Sequence, residues 1–148
     1  MALCREILDT FEDKVLPGVT LTCSSSLESY RLNTDRFRLH QLLGHLLSNA
    51  VKFTHAGEVN LSFETDQVNN SVRFIITDTG CGIPVEMHDK IFERFEKLDE
   101  FKQGTGLGLA ICRNIANRFQ GSLYLDTSYM EGARFVFVHP CGLEISKN

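Results

Sequence analysis

Three polar residues share one side of a helix that the sequence predicts over residues 39–54. His45, Asn49 and Lys52 follow one another at spacings of four and three residues, and Phe53 comes next; such spacings place side chains on one side of an α-helix. The amide oxygen of Asn49 suits Mg²⁺, which takes few protein ligands when phosphates supply the others. The ammonium of Lys52 suits phosphate, and the ring of Phe53 can cover a base. These residues predict one wall of a nucleotide site, although a solvent-facing helix edge would have the same pattern.

A carboxylate and two glycines form the second candidate group. Asp78 ends a segment of alternating apolar residues and begins the glycine-containing turn 78–82. A carboxylate there can accept a hydrogen bond from an exocyclic amine such as adenine N6, and Gly80 and Gly82 let the backbone approach a flat ring. An ordinary loop with an Asp turn would have the same sequence, so this motif alone leaves both interpretations open.

A glycine-rich run forms the third candidate group. It consists of Gly104, Thr105, Gly106, Leu107 and Gly108 and opens directly into a predicted helix. Backbone N–H groups at such a helix start, together with the positive end of the helix dipole, form an anion site suited to phosphates. The G-x-G-x-G spacing differs from both G-x-G-x-x-G and G-x-x-x-x-G-K-[ST], which argues against dinucleotide and Walker-type sites.

The composition limits the class of protein that can carry these groups. With 148 residues, 43% of them hydrophobic and 23% charged, the chain has the size and composition of one soluble globular domain. Its net charge of −4 argues against a nucleic-acid partner or an acidic membrane partner. Five cysteines without a CxxC pair suggest reduced thiols rather than disulfides or zinc. Without a spanning segment or signal peptide, we expect a cytosolic domain, which leaves open a membrane-anchored parent protein.

The remaining pattern predicts an α+β domain whose mixed sheet is covered on one face by helices. Leucines at helical spacing mark the helix over residues 39–54, and Thr34 or Asp35 can cap its start. The predicted helices and turns are residues 3–16, 39–54, 85–95 and 107–119. The predicted strands are residues 19–23, 30–33, 59–63, 72–76, 122–127 and 133–138.

The order of these motifs resembles the catalytic ATP-binding domain of sensor histidine kinases. That domain belongs to the superfamily shared with Hsp90, DNA gyrase and MutL. Residues 35–54 resemble the family's N box, 78–83 its G1 box, 91–95 its F box and 104–110 its G2 box. The resemblance covers about residues 3–140 and implies a two-layer α/β sandwich formed by one domain over residues 1–148.

The resemblance also implies a role for each candidate residue. Asn49 would ligate Mg²⁺ and Lys52 would touch phosphate, which makes both catalytic. Asp78 would read the adenine amine. Residues 96–103 would form a mobile ATP lid that Phe92 and Phe95 anchor. The implied nucleotide-binding residues are Asn49, Lys52, Phe53, Asp78, Gly80, Gly82, Ile83, Phe95, Gly104, Thr105, Gly106, Leu107 and Gly108.

Three positions depart from the family pattern or border the implied pocket. His45 stands where the family usually has another Asn, either as a neutral hydrogen-bonding replacement or as a sign of altered activity. Ala133 stands where many relatives have Ser or Thr, so one polar contact near the base would be missing. Cys81 borders the implied pocket, and we interpret it as a small filler.

No histidine of the chain has the setting that the family's phosphoacceptor requires. The candidates are His40, His45, His55, His88 and His139. We therefore expect the chain to bind Mg-ATP and to donate the γ-phosphoryl group to a histidine on a separate helical dimerisation domain, with a response regulator downstream. The isolated chain, interpreted as a domain excised from a longer sensor, is expected not to phosphorylate itself.

Two other functions remain open on the sequence. An anti-sigma-factor-type serine kinase would share the ATP fold and the size, although the pair Phe92 and Phe95 and the long glycine run favour the histidine kinase branch. A non-catalytic nucleotide-binding signalling module is the other alternative, and His45 is the feature that favours it. A DNA-handling ATPase of the gyrase or MutL kind fits less well, because the chain is acidic and lacks their transducer domain.

Overall fold

The computed structural model describes residues 2–15, 17–25, 34–83, 91–92 and 108–140. Within those ranges the chain forms three α-helices and five β-strands. The helices are α1 (Ala2–Asp9), α2 (Arg36–Phe53) and α3 (Gly108–Arg118). The strands are β1 (Val19–Ser25), β2 (Gly57–Asp66), β3 (Ser71–Asp78), β4 (Ser122–Leu125) and β5 (Ala133–Pro140).

The five strands form one mixed sheet in the order β1-β2-β3-β5-β4. β1 pairs with β2 in parallel, and the other three pairs are antiparallel. A parallel pair needs a long crossover connection, which is usually helical, and α2 lies in the segment that joins β1 to β2. In this strand order β3 is the middle strand. α2 ends at Phe53, just before β2 begins at Gly57.

α2 is the helix that the leucine pattern predicted. Asp35 caps it, because its carboxylate accepts a hydrogen bond from the backbone N–H of Arg38 at 3.2 Å, as an N-cap side chain does. At the other end the N–H of Thr54 reaches the carbonyl of Val51. The side chains that α2 buries are Leu39, Leu42, Leu43, Leu46, Leu47 and Ala50.

Helices cover one face of the sheet and enclose the core. Alternate side chains of the strands point into it, since successive residues of a strand face opposite sides. Leu61, Phe74 and Phe137 are almost completely buried there and belong to the same cluster as the leucines of α2. This arrangement confirms the predicted α+β fold with a mixed sheet covered by helices.

The opposite face of the sheet carries polar side chains. Arg73 pairs with Glu64 across the β2–β3 pair, and Asn60 donates a hydrogen bond to Thr22 at 2.6 Å. Arg73, Glu64 and Asn60 border a shallow cavity of about 550 Å³. Such an alternation of buried apolar and exposed polar residues is usual for antiparallel strands with one covered face.

Two predicted elements end earlier than expected. The first helix ends at Asp9 instead of continuing towards residue 16, because the hydroxyl of Thr10 donates to the carbonyl of Ile7 at 2.7 Å and tight turns follow. β4 ends at Leu125 instead of residue 127, because the carboxylate of Asp126 accepts hydrogen bonds from Ser128 and turns the chain.

Two other predicted elements, the strand over 30–33 and the helix or turn over most of 85–95, lie outside the described residues. Within the described ranges, no helix combines the length and the apolar character needed to cross a bilayer.

Candidate functional site

The candidate site is built around Asp78, the last residue of the middle strand. Its position on the inner face leaves the residue only 4% exposed. One carboxylate oxygen, Oδ1, accepts hydrogen bonds from the backbone N–H of Gly80 at 2.9 Å and from that of Ala133 at 3.1 Å. Ala133 lies directly opposite Asp78 in the β3–β5 pair. The carboxylate is thus held in one orientation by two main-chain donors.

The other oxygen of Asp78, Oδ2, receives no hydrogen bond from any described residue. Burial raises the pKa of this carboxyl, and the N–H groups of Gly80 and Ala133 oppose that rise. Asp78 therefore offers a fixed acceptor to a ligand donor such as an exocyclic amine.

The turn after Asp78 lies directly against the end of α2. A Cβ added at Gly80 would lie 2.3 Å from the carbonyl oxygen of Phe53 and 2.9 Å from the hydroxyl of Thr54. The N–H of Cys81 also donates to the Phe53 carbonyl at 3.3 Å. Only glycine fits so close an approach. The first and second sequence motifs consequently meet at one point.

The polar edge of α2 leads away from this meeting point. Asn49 lies one turn before Phe53, about 6 Å along the helix axis at the α-helical rise. Asn49, Lys52 and Phe53 are all partly exposed. No described residue forms a hydrogen bond with the Asn49 side chain.

His45 lies one turn further back on the same edge and is half-buried. Burial lowers the pKa of its imidazole, which favours the neutral ring. No described residue forms a hydrogen bond with that ring. A neutral ring agrees with the interpretation of His45 as a neutral replacement for the family's Asn. The hydrogen-bonding role of His45 stays a prediction.

The metal-ligating side chains in the described residues fit a magnesium ion that binds together with phosphate. In the described part of the chain, no three His, Cys, Asp or Glu side chains come close enough together to hold a metal ion. A magnesium ion would therefore need most of its ligands from phosphate oxygens and water, which is its usual mode of binding in nucleotide sites. The neutral oxygen of Asn49 suits the single protein ligand of such an ion.

Gly82 and Ile83 continue the turn after Cys81. Gly82 has a φ of +74°, a left-handed conformation that L side chains rarely adopt, and Ile83 packs against the hydrophobic core. Cys81 itself is exposed. The turn thus combines a glycine-dependent bend with an apolar residue at its end.

Part of the F box is anchored in the core. Ile91 is buried, and the ring of Phe92 meets that of Phe135 edge-on at 6.1 Å. The guanidinium of Arg113, from α3, lies 4.0 Å from the centre of the Phe92 ring, a cation–π distance. Phe92 is therefore fixed between α3 and β5.

The glycine-rich run falls mostly outside the described residues. Gly108 begins α3, which agrees with the prediction that the run opens into a helix. Phe95, Gly104, Thr105, Gly106, Leu107 and the lid segment 96–103 lie outside the described residues, so their predicted roles stay predictions.

Three residues of the site were missed by the sequence analysis. Thr54 is completely buried, and its hydroxyl forms no hydrogen bond within the described residues. Tyr129 donates a hydrogen bond from its hydroxyl to the backbone carbonyl of Asp78 at 3.1 Å. Gly132 lies so close that an added Cβ would come within 2.0 Å of that carbonyl oxygen. The sequence signal for Thr54 was a polar residue that directly follows a helix with a buried apolar stripe. The sequence around Tyr129 contains no signal of its role.

Comparison with known families agrees with this geometry. The model of the family described as histidine kinase-, DNA gyrase B-, and HSP90-like ATPase matches residues 34–142. An autoinducer 2 sensor kinase/phosphatase LuxQ from Vibrio vulnificus strain YJ016 is 34% identical over 146 residues, which cover 93% of this chain and 16% of that protein. The chain thus spans about a sixth of the length of this relative.

Two histidine kinases of known structure share the fold. Full-length ShkA in complex with AMPPNP matches with a TM-score of 0.85 and 30% identity over 97% of this chain and 30% of that chain. The catalytic domain of histidine kinase ThkA, in a nucleotide-free form, matches with a TM-score of 0.82 and 31% identity over 95% of this chain and 92% of that chain. ThkA in complex with response regulator protein TrrA matches with a TM-score of 0.79 and 28% identity, over 99% of this chain and 41% of that chain.

The family model covers most of the chain, and the ThkA catalytic domain matches over nearly its whole length. The chain belongs to the histidine kinase-, DNA gyrase B- and HSP90-like ATPase family, and within it to the catalytic domains of histidine kinases.

Proposed function

We propose that this chain binds Mg-ATP and presents its γ-phosphate to a histidine on a separate helical domain. The observation that carries the proposal is the Asp78 carboxylate. One of its oxygens is fixed by two backbone N–H groups, and the other is left without a donor among the described residues. Family membership and the AMPPNP complex of ShkA support ATP as the ligand.

Adenine would bind against the turn that follows β3. Asp78 Oδ2 would accept a hydrogen bond from the 6-amino group, and the glycine backbone at positions 80 and 82 would let the flat ring lie close. Ile83 and Phe53 would supply apolar contact beside the ring. A carboxylate that accepts from an amine distinguishes adenine from guanine, since guanine carries a carbonyl oxygen at that position and would face the carboxylate with a second acceptor.

The phosphates would extend from this pocket along the polar edge of α2. Asn49 would ligate Mg²⁺ and Lys52 would contact a phosphate oxygen, while the glycine-rich run 104–108 would bind phosphate through its N–H groups. A bound Mg²⁺ neutralises charge on the phosphate oxygens. The contribution of this chain is to hold the γ-phosphate in line for attack, which is chiefly a matter of positioning.

The attacking imidazole would come from outside this domain. The described histidines are His40, His45, His55 and His139, and none has the sequence setting that the family's phosphoacceptor requires. The phosphohistidine would then pass its phosphoryl group to a response regulator, a partner class that the ThkA–TrrA complex supports. We place the domain in the cytoplasm, where ATP is plentiful.

The decisive experiment measures whether nucleotide binding depends on magnesium through Asn49. Calorimetry would compare the wild-type chain with Asn49→Ala, using a non-hydrolysable ATP analogue in Mg²⁺ and again in EDTA. We expect Asn49→Ala to weaken binding about tenfold or more in Mg²⁺, because the proposed contact between the amide oxygen and the metal ion is lost. In EDTA the variant should bind with the same affinity as wild type.

Asn117→Ala is the matched control, since Asn117 is exposed on α3 and takes no part in the proposed site. Equal affinities of wild type and Asn49→Ala in Mg²⁺ would contradict the metal assignment. An absence of any nucleotide binding by the wild-type chain would contradict the function itself. Transfer of an acid-labile phosphate to an added histidine-bearing helical domain would then separate a kinase from a non-catalytic binding module.

A further inference from the structure

The β4–β5 connection, residues 126–132, reaches back to the residue that we assign to adenine. The hydroxyl of Tyr129 donates to the backbone carbonyl of Asp78 at 3.1 Å. That carbonyl lies at the end of the β3–β5 pair, where Ala133 uses its own N–H for the Asp78 carboxylate. A side chain from a distant loop therefore completes the hydrogen bonding of the strand end.

The ring of Tyr129 is held in place from its other side. The guanidinium of Arg134 lies over it, 4.3 Å from the ring centre, which is favourable for a cation and an aromatic face. Arg134 in turn donates from Nε to the hydroxyl of Thr77 at 3.2 Å and lies 3.5 Å from the carboxylate of Asp126. These contacts fix Arg134 to the strand that carries Asp78, and the phenol with it.

Gly132 brings the same connection close to both polar groups of Asp78. A Cβ at this position would lie 2.0 Å from the carbonyl oxygen of Asp78 and 2.9 Å from its Oδ1. The hydroxyl of Tyr129, the backbone of Gly132 and the N–H of Ala133 thus surround Asp78 from one side. They leave Oδ2 as the oxygen available to a ligand.

We infer that Tyr129 is a positioning residue that sets the orientation of Asp78 for recognition of the 6-amino group of adenine. The inference rests on the proposed nucleotide site. The peptide that follows Asp78 is held at both polar groups: its carbonyl accepts from the phenol of Tyr129, and its N–H, that of Thr79, donates to the carbonyl of Glu58 at 3.1 Å. Loss of the phenol donor removes one of these two restraints, so the carboxylate becomes less well ordered before the ligand binds, and binding must supply that order. Burial and the neighbouring Glu131 raise the pKa of Tyr129, so the phenol stays a donor at neutral pH.

The test separates amine recognition from general binding. Tyr129→Phe removes the hydroxyl and keeps the ring under Arg134. Calorimetry in Mg²⁺ would compare ADP with purine riboside 5′-diphosphate, which lacks the 6-amino group. We expect Tyr129→Phe to weaken ADP binding about three- to tenfold, the range for one hydrogen bond, and to leave the affinity for the analogue unchanged.

Tyr124→Phe is the matched control, because Tyr124 is an exposed tyrosine on β4 without a hydrogen bond to any described residue. It should leave both affinities unchanged. A second variant, Arg134→Lys, keeps the charge but loses the planar group that stacks on the phenol, and should reduce ADP selectivity in the same direction by a smaller factor.

Two results would overturn the inference. Equal loss of affinity for ADP and for the analogue would make Tyr129 a general structural residue, and an unchanged ADP affinity would remove it from the site. Asp78→Asn is measured in parallel, because it tests the underlying site. If that variant keeps its preference for ADP over the analogue, the adenine assignment of Asp78 fails regardless of the result at Tyr129.

Discussion

The two ends of the β3–β5 pair each bury one ionisable side chain, and the two side chains differ in how fully they are hydrogen-bonded. At one end Asp78 is 4% exposed and faces Ala133; at the other His139 is 3% exposed and faces Val72. Both point into the helix-covered side of the sheet. Nδ1 of His139 lies 2.7 Å from the carbonyl oxygen of Pro140, and Nε2 lies 2.8 Å from the hydroxyl of Thr34.

The difference distinguishes a buried group with a structural role from a buried group that is proposed to bind a ligand. Because a carbonyl can only accept, Nδ1 of the neutral His139 ring donates to Pro140, and Nε2 accepts from Thr34. The ring also packs on Phe119 at 4.7 Å, so His139 has a partner for each polar atom. Asp78 keeps one oxygen without a donor among the described residues. A buried group that the protein satisfies only in part is the better candidate for binding a ligand.

The largest effect, on nucleotide affinity, is expected from a substitution of Asp78. Asp78→Asn keeps an acceptor for Gly80 and Ala133 but directs an NH₂ group at the adenine amine. We expect ADP affinity to fall by roughly 30- to 150-fold, the equivalent of about 2–3 kcal/mol for a charged hydrogen bond, by calorimetry in Mg²⁺.

The same variant should not lose stability. Because the pKa of Asp78 is raised on folding, the charged carboxyl disfavours the folded state at neutral pH, and a neutral amide removes that cost. Urea unfolding should give a free energy at or above the wild-type value. Asp13→Asn, at an exposed position after α1, is the control for both measurements. A variant that unfolds more easily but binds normally would reverse the comparison.

A substitution of His139 should have the opposite result, with lower stability and unchanged nucleotide affinity. His139→Gln loses the aromatic contact with Phe119 and at least one of the two hydrogen bonds. We expect the free energy of unfolding to fall by about 1–2 kcal/mol, as measured by urea titration. Nucleotide affinity of the folded variant should equal that of wild type; a changed affinity would connect the two ends of the pair.

The smallest effect is a pH dependence with a defined sign. Burial lowers the pKa of His139 from 6.5, so below pH 6.5 the unfolded chain binds protons more readily than the folded one. The stability that neutral His139 contributes is complete above pH 6.5 and is lost as the pH falls towards its folded pKa. The difference in unfolding free energy between wild type and His139→Gln should therefore shrink from pH 7.5 to pH 5.5. A constant difference would contradict this linkage.

Sequence reasoning predicted the elements of the fold because apolar periodicity is a local property. The leucines of α2 and the alternation in β2 and β3 specify each element without knowledge of its neighbours. The meeting of the N-box helix with the Asp78 turn was implied by the resemblance. The ends of elements were less predictable: Thr10 and Asp126 end theirs through side-chain hydrogen bonds that apolar periodicity does not register.

The supporting contacts of the site could not be read from the sequence. Tyr129 and Asp78 are 51 positions apart, and Thr34 and His139 are 105 apart. Nothing in the local pattern of any of these residues indicates its partner, since the contact exists only after the sheet has paired. The same holds for Gly132, because the collision of any side chain at this position with Asp78 becomes evident only in the folded structure.

The position of β3 in the middle of the sheet has a consequence for regulation. A strand with a paired neighbour on each side opens only when the sheet itself opens, so its amides belong to the most slowly exchanging part of a domain. Asp78 lies on that strand. We therefore expect the proposed adenine-contacting end of the site to be more stable than its surroundings, and a signal that modulates this domain to act on the proposed phosphate-binding residues or on docking to the proposed acceptor helix.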